Sequence, residues 1–418
     1  MISSKDTSPV EQSQAEKLAT ELIEQNEWLS FGAVSASVPL GDDGTSPPLT
    51  RISCGGQLVT RGIDTIHLTL SLQLDSSLSV RLAEAKKELQ KTDGSEVAFR
   101  FGTSTLFSWN LQRVGTKLYP YVLRCGDVVL QLSNRKPDSR YPPASLTVGS
   151  VSCHGDLQDL YRRVKMWLFY HKSAVLDDKV SRIDICADYA IDIKSTGLID
   201  QDKHVSYADN FALYSYRRKV TGLQVGTGDI VLRVYDKLQE MKQKRATEKE
   251  AFFFSKWGGV PYQITRVEFQ LRRAAITSFF TKTSFRHVSR RLGDLWKYLT
   301  EDWFRACTKK VDRKNRNQDK SETSPFWLKV QEAYKEDEQL ATSRIKKPKF
   351  VNVQALLDQA AGCVMSVVAA LGIAGDDVFS VLHTSGQLIT DKMNDIMQDA
   401  ESFMKEFEIR QKRAVLSF

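Results

Sequence analysis

The chain has 418 residues, 59 Lys and Arg against 51 Asp and Glu, and a net charge of +8, which favours a polyanionic partner. Hydrophobic residues at 41% and aromatics at 10% suffice for real cores, which excludes general disorder and leaves room for about two to three domains. No apolar run reaches the length of about 18 residues that a membrane helix needs, and the opening MISSKDTSPVEQSQ has no hydrophobic signal core.

The elements follow in chain order. A helix is expected over 11–26, then a flexible Gly/Pro/Ser-rich lead-in, PLGDDGTSPP. In IHLTLSLQLD, Ile66, Leu68, Leu70, Leu72 and Leu74 alternate with polar residues, the period of a half-buried strand. A helix follows over 79–91, then strands around Val97–Phe101, at 118–124 and at 127–133, with Arg124-Cys125-Gly126-Asp127 as a turn. SLTVGSV at 145–151 leads to an amphipathic helix carrying Leu157, Leu160, Tyr161, Val164, Trp167 and Leu168, with Asp156 as its N-cap. Strands are expected at 182–191, 230–237 and 263–271, and helices from Thr277 onward. Strands and helices without a strict repeat read as an α+β fold, with an antiparallel-rich sheet.

Two basic segments follow. Arg305, Lys309, Lys310, Arg313, Lys314, Arg316 and Lys320 form either a solvated loop or an arm that contacts phosphates, and Arg344–Lys349 is the second. Near the C-terminus Ile389, Met393, Ile396, Ala400, Phe403 and Phe407 make a short heptad stripe. It serves either a homodimer or packing on the helix around 356–371. Six cysteines without a CxxC pair suggest neither a zinc site nor a disulfide framework, so a reducing, cytoplasmic compartment is expected, with no membrane partner.

The chemistry comes from the faces of the three late strands. RIDICADYA puts Ile183, Ile185, Ala187 and Tyr189 on one side and Arg182, Asp184, Cys186 and Asp188 on the other. IVLRVYDK opposes Ile230, Leu232 and Val234 to Arg233, Tyr235 and Lys237. ITRVEFQLR opposes Val267, Phe269 and Leu271 to Arg266, Glu268, Gln270 and Arg272. If the three are neighbours, one face gathers carboxylates suited to Mg²⁺ or Mn²⁺, cations suited to a phosphate, and a tyrosine that could attack a phosphodiester. One strand at a time, a solvent-exposed face of cross-strand ion pairs is the plainer reading; the three together favour a site.

QVGTGDIVLRVYDKLQE at 224–240 resembles the tyrosine motif of the Rep_trans family of rolling-circle replication initiators and related conjugative relaxases, a Gly-rich turn before a strand ending R-x-Y-x-K-x-x-E. RIDICADYA, TRVEFQLRR, GIDTIHLTL and the pair DLWKYLTEDWFRAC and SPFWLKVQEAY resemble its other segments, so the similarity covers roughly 62–335. The resemblance implies that Tyr235 nicks DNA, taking the 5′-phosphate and leaving a 3′-hydroxyl. It implies a Mg²⁺ or Mn²⁺ ion on Asp184 and Glu268, with Asp188, while Arg233, Lys237 and Arg266 clamp the phosphate; Glu240 also falls in the motif. Arg182, Arg272, Lys309, Lys310, Arg313 and Lys314 are candidate DNA contacts, and origin DNA and a host helicase are the implied partners. The implied domains are a lead-in over 1–61, a nicking domain over 62–335, a basic linker over 336–350 and a helical unit over 351–418.

Rivals are a conjugative relaxase, with the same chemistry, and a non-catalytic DNA-binding regulator. A tyrosine recombinase would use His287-Val-Ser-Arg290, but the β-rich region before it argues against that fold. The six histidines never occur two residues apart, which excludes a paired-histidine nickase, and no GxxxxGK[ST] motif supports an NTPase.

Overall fold

The computed structural model describes residues 51–371, apart from 92–93, 95, 100–107, 245–246, 312–320, 338–349 and 352, and beyond these 378–397, 404, 407–408 and 415–416. The expected helix at 11–26, Arg313, Lys314 and the segment 344–349 lie outside the described residues. The chain divides into two units, Met1–Arg344 and Ile345–Phe418.

The first unit is an α+β fold on an eleven-stranded sheet in which every neighbouring pair is antiparallel. Its strands are β1 (Leu58–Gln73), β2 (Glu96–Phe99), β3 (Trp109–Gln112), β4 (Tyr121–Cys125), β5 (Val128–Leu132), β6 (Ala144–Val148), β7 (Ala174–Tyr189), β8 (Phe211–Tyr216), β9 (Lys219–Val225), β10 (Ile230–Asp236) and β11 (Thr265–Arg272). They lie in the order β8-β9-β10-β11-β7-β1-β6-β5-β4-β3-β2. The short strand β3 and the hairpin β8–β9 have no counterpart in the sequence reading. The 16-residue strands β1 and β7 form the spine.

Alternation does what the sequence suggested. Ile66, Leu68, Leu70 and Leu72 are all buried, as are Ile183, Ile185, Val267, Phe269, Leu232 and Val234 on the same face. Helices cover that face: α1 (Ser76–Lys91), α3 (Leu157–Tyr170), α6 (Arg273–Phe279), α7 (Phe285–Ser289), α8 (Leu292–Tyr298) and α9 (Pro325–Glu332), with a short α2 (Ser150–Cys153) before α3. Asp156 caps α3 by accepting from the Asp159 amide at 2.9 Å. Trp296 stacks edge-on to Phe269 at 5.4 Å, and Phe285 to Tyr161 at 4.9 Å, so one continuous core lies under the sheet.

Among the described residues, α4 (Lys237–Gln243) and α5 (Thr247–Trp257) cover part of the opposite face. Here Ala190, Met241, Phe253, Trp257 and Ile264 form a second, small core. The strand expected over 230–237 stops at Asp236, whose carboxylate accepts from the Gln239 amide at 2.9 Å and starts α4 at Lys237.

The second unit holds α10 (Val353–Ala370) and α11 (Val378–Met397). Of the heptad stripe, Ile389, Met393 and Phe407 are 45%, 41% and 48% exposed, so they are not buried within one chain. The side chain of Ile396, and Ala400 and Phe403, lie outside the described residues. No described helix is long and apolar enough to cross a membrane, and all six cysteines are free.

Candidate active site

Strands β10, β11 and β7 are adjacent, and their polar sides meet in rows. Directly opposed residues of antiparallel strands share a face. One row runs Gly222, Tyr235, Arg266, Asp188 and Thr60; the next runs Gln224, Arg233, Glu268, Cys186 and Gly62. A third holds Gln270 opposite Asp184, and a fourth Arg272 opposite Arg182.

Tyr235 is half-buried and donates its hydroxyl to Glu268 Oε2 at 2.7 Å. Burial, and the Glu268 charge beside it, push the phenol well above its ordinary range, so the tyrosine waits as a neutral phenol. Glu268 is 4% exposed. Burial and the charges of Asp64 and Asp184 raise its pKa from 4.5 to about 7, poised for a base near neutral pH. Arg233 Nη1 lies 3.5 Å from Glu268 Oε1 and keeps a partly exposed side chain. The Lys237 ammonium sits 5.7 Å over the Tyr235 ring and 3.0 Å from Glu240 Oε2.

The other predicted groups are held differently. Arg266 is fully buried, its Nε and Nη2 donating to Asp188 at 2.6 and 2.7 Å while Nη1 pairs with Asp64. Asp188 also accepts from Trp257 Nε1 at 2.9 Å, and the Arg266 guanidinium lies 5.0 Å over the Phe253 ring. Both oxygens of Asp188 are thus committed, which leaves it poorly placed as a metal ligand, and Arg266 cannot reach a phosphate from this position. Asp184 accepts a two-pronged contact from Arg182 at 2.9 and 2.5 Å. Burial raises the Asp184 carboxyl against the pull of Arg182. Arg272 and Lys309 are exposed, and Lys310 pairs with Asp202 at 3.0 Å on the surface. Gln270 is buried and its Oε1 accepts no hydrogen bond from the protein.

Two residues absent from the sequence-level site join it. A ligand atom each from Asp64, His154 and Cys186 lie within 4.8 Å of one another, the group among the described residues that could hold a metal ion. Asp64 reaches the polar face through a bulge. Ile63 and Ile66 both pair on the apolar side, with Ile185 and Ile183, so an extra residue between them turns Asp64 over. Strict alternation puts Asp64 in phase with Ile66, which is why the sequence hid it. His154 ends α2, whose first amides are held by Asp127 from the β4–β5 turn: Val151 and Ser152 donate to its carboxylate at 2.8 and 3.3 Å. Its ring lies over Gly62, where a Cβ would come within 3.3 Å of it. Burial and the nearby Arg266 hold His154 at about 4, hence neutral and able to donate a lone pair. For Asp64 burial acts upward, but Arg266 and Lys237 outweigh it and hold the carboxyl below its usual range. Burial pushes the Cys186 thiol well up, against the pull of Arg266. A mixed carboxylate, imidazole and thiol set departs from the all-oxygen ligands expected: it suits Zn²⁺ or Fe²⁺ first, and Mn²⁺ ahead of Mg²⁺ only by the general order of affinities.

No family model matches the sequence, and no curated protein matches it. Among solved structures the chain is similar to that of a rolling circle replication initiator protein from Geobacillus stearothermophilus, with a TM-score of 0.39 and 14% identity, over 67% of this chain and 99% of that one. What the site can do rests on its own geometry.

Proposed function

We propose that the protein nicks and rejoins one DNA strand through a covalent 5′-phosphotyrosine on Tyr235, and so primes rolling-circle replication. The observation that carries this is the 2.7 Å hydrogen bond from the Tyr235 hydroxyl to Glu268, a buried carboxylate raised to about 7. A neutral phenol is a poor nucleophile, and a base already holding its proton makes it a good one.

Tyr235 Oη attacks phosphorus as its proton passes to Glu268. The P–O3′ bond breaks, and the 3′-oxygen takes a proton from solvent water, leaving a 3′-hydroxyl. Closing runs the same steps backwards: a 3′-hydroxyl gives its proton to solvent water and attacks the phosphotyrosine, and the departing Tyr235 oxygen takes its proton back from Glu268. Arg233, a partly exposed cation beside Glu268, contacts the phosphate oxygens, and Lys237 adds charge beside the ring. Asp64 and His154 would hold a divalent ion, with Cys186 lining the place, and it would neutralise charge on the phosphate. Arg266 and Asp188 position Asp64 rather than touch DNA.

The resemblance of 224–240 to the Rep_trans tyrosine motif supports the reading of origin DNA as substrate. The test is covalent. A labelled single strand of the element's own origin, incubated with protein and Mn²⁺, should stay attached after denaturation, and peptide mapping should find it on Tyr235. Absence of any adduct on single-stranded or supercoiled origin DNA would overturn catalysis and leave a DNA-binding regulator. Undiminished nicking in EDTA would remove the ion.

A further inference from the structure

The hairpin β8–β9 sits at the sheet edge beside the strand that carries Tyr235. Tyr214 pairs with Gly222 and Gly222 with Tyr235, so both tyrosines project from one face on strands two apart, about 10 Å between them. Gly222 keeps the interval open, for a Cβ there would lie 3.2 Å from that of Tyr235. Past the register shift at Tyr214/Ser215, Tyr216 pairs with Lys219 on the same face. Tyr214 and Tyr216 are 50% and 41% exposed.

Arg217 and Arg218 form the two-residue turn, with φ of 46° and 64°. Two positive φ values are the pattern of a hairpin turn that Asn-Gly fills at least cost. An Arg-Arg pair there is held against backbone preference, with both side chains exposed and the Arg217 guanidinium 5.3 Å over one face of the Tyr216 ring. From 211 to 225 there is no Asp or Glu to pair with Arg217, Arg218 and Lys219. Cations alone would be ordinary protection of a sheet edge. Exposed tyrosines in register with the nucleophile are not.

We propose that this hairpin is a track for unpaired DNA. Tyr214 and Tyr216 stack bases of the strand whose phosphate lies at Tyr235, while Arg217, Arg218 and Lys219 contact its backbone. The interval of about 10 Å matches roughly three stacked nucleotides at about 3.4 Å each. The proposal rests on the nicking reading for its direction, but the binding it claims needs no chemistry.

The test uses the full chain carrying Tyr235→Phe and a fluorescein-labelled oligothymidine, read by anisotropy beside a duplex of the same length. Y214A/Y216A should weaken single-strand binding on the order of tenfold or more per ring, leaving duplex binding and thermal unfolding unchanged. R217N/R218G keeps the turn's preferred residues. It should flatten the slope of log affinity against log salt by about 1.4, roughly 0.7 per cation lost. Unchanged single-strand affinity in Y214A/Y216A overturns the track, as does an equal loss on single strand and duplex. If the chain with Tyr235 intact forms no adduct but Y214A/Y216A loses single-strand affinity, nicking falls and the track stands. If the adduct forms and single-strand affinity is unmoved, nicking stands and the track falls.

Discussion

The two halves of the one sheet treat their second face in opposite ways. In β5 and β6 the first face is core, and the second shows Val129, Gln131, Ser145 and Thr147, neutral and half-buried. In β7 and β11 the first face is equally core, but the second carries Asp188, Arg266 and Glu268, at 0%, 0% and 4% exposure. Apolar burial at about 25 cal/mol per Å² favours both halves alike. Only the second half also takes ions out of water, a cost that a buried pair at best offsets. Phe253 and Trp257 on α5 seal those ions in. A charged face under an aromatic cover holds its geometry before any ligand arrives, at the expense of stability the neutral half keeps.

The largest effect that should separate the halves is chemical. Tyr235→Phe keeps the ring and removes one oxygen, so nicking should fall by more than about a thousandfold, with no phosphotyrosyl adduct. Its melting temperature should stay near that of the parent. A residual adduct in a gel of denatured reaction product would put the nucleophile on another tyrosine, such as Tyr189 or Tyr262. Tyr189 is fully buried and Tyr262 is 63% exposed, so only Tyr262 could meet DNA without rearrangement.

Next comes the buried ion network. Arg266→Met leaves Asp188 and Asp64 without their shared cation and should cost about 3–5 kcal/mol in urea unfolding. Gln131→Met, on the second face of the other half, should stay within about 0.5 kcal/mol. Comparable losses at the two positions would mean that the charged face is no more demanding than the neutral one.

How much of this contrast was legible in the sequence differs between its parts. Alternation in β1, β7, β10 and β11 gave the polar side correctly, because side-chain direction in a regular strand has period two. The same rule missed Asp64, since a bulge adds a residue and reverses the phase. His154 was invisible for another reason. It lies 32 residues from Cys186 and meets it, Nε2 to Sγ at 3.6 Å, only because β1 lies between α2 and β7. Spacing motifs find sites built on one element, not sites assembled from three. The hairpin β8–β9 escaped because Tyr216-Arg-Arg-Lys219 contains none of the Gly or Asn that marks a tight turn. Lys237 continues the strand's period of two, and nothing in that period announces the Asp236 cap that makes it the first residue of α4.

Glu268→Gln probes the charged half through pH. On the proposed chemistry Glu268 acts ionised, so the wild-type nicking rate should rise with pH and level off above about 7, while the variant should be slow throughout. Stability should move the other way. The folded-state value lies above the unfolded one, so the carboxyl's contribution is complete below about 4.5 and is lost as pH rises through about 7. The Gln variant has no proton to lose. It should match the wild type near pH 4.5 and exceed it by up to about 3 kcal/mol at pH 8. A variant less stable than wild type at pH 8 would contradict a strained, buried carboxylate.

The smallest effect concerns His154, at the border between the halves. Its folded value of about 4 lies below the ordinary 6.5, so the unfolded chain takes up this proton first as pH falls. For a base depressed in this way, stability is present above about 6.5 and drains away towards 4. Burial is the larger cause and Arg266 the next. His154 is only partly buried by its surface, so the loss should be about 2 kcal/mol rather than the full amount of the shift. His154→Gln, unfolded in urea with EDTA present, should lack this acid limb while keeping the wild-type curve above pH 7. With Mn²⁺ added instead, the wild type should gain stability by about 2.7 kcal/mol at a hundredfold excess over its dissociation constant, and the Gln variant much less. Equal Mn²⁺ stabilisation of both proteins would move the ion away from Asp64 and His154. An unchanged acid limb in the variant would mean that the imidazole is not kept neutral by the seal that Phe253 lays edge-on to it, 5.4 Å between ring centres.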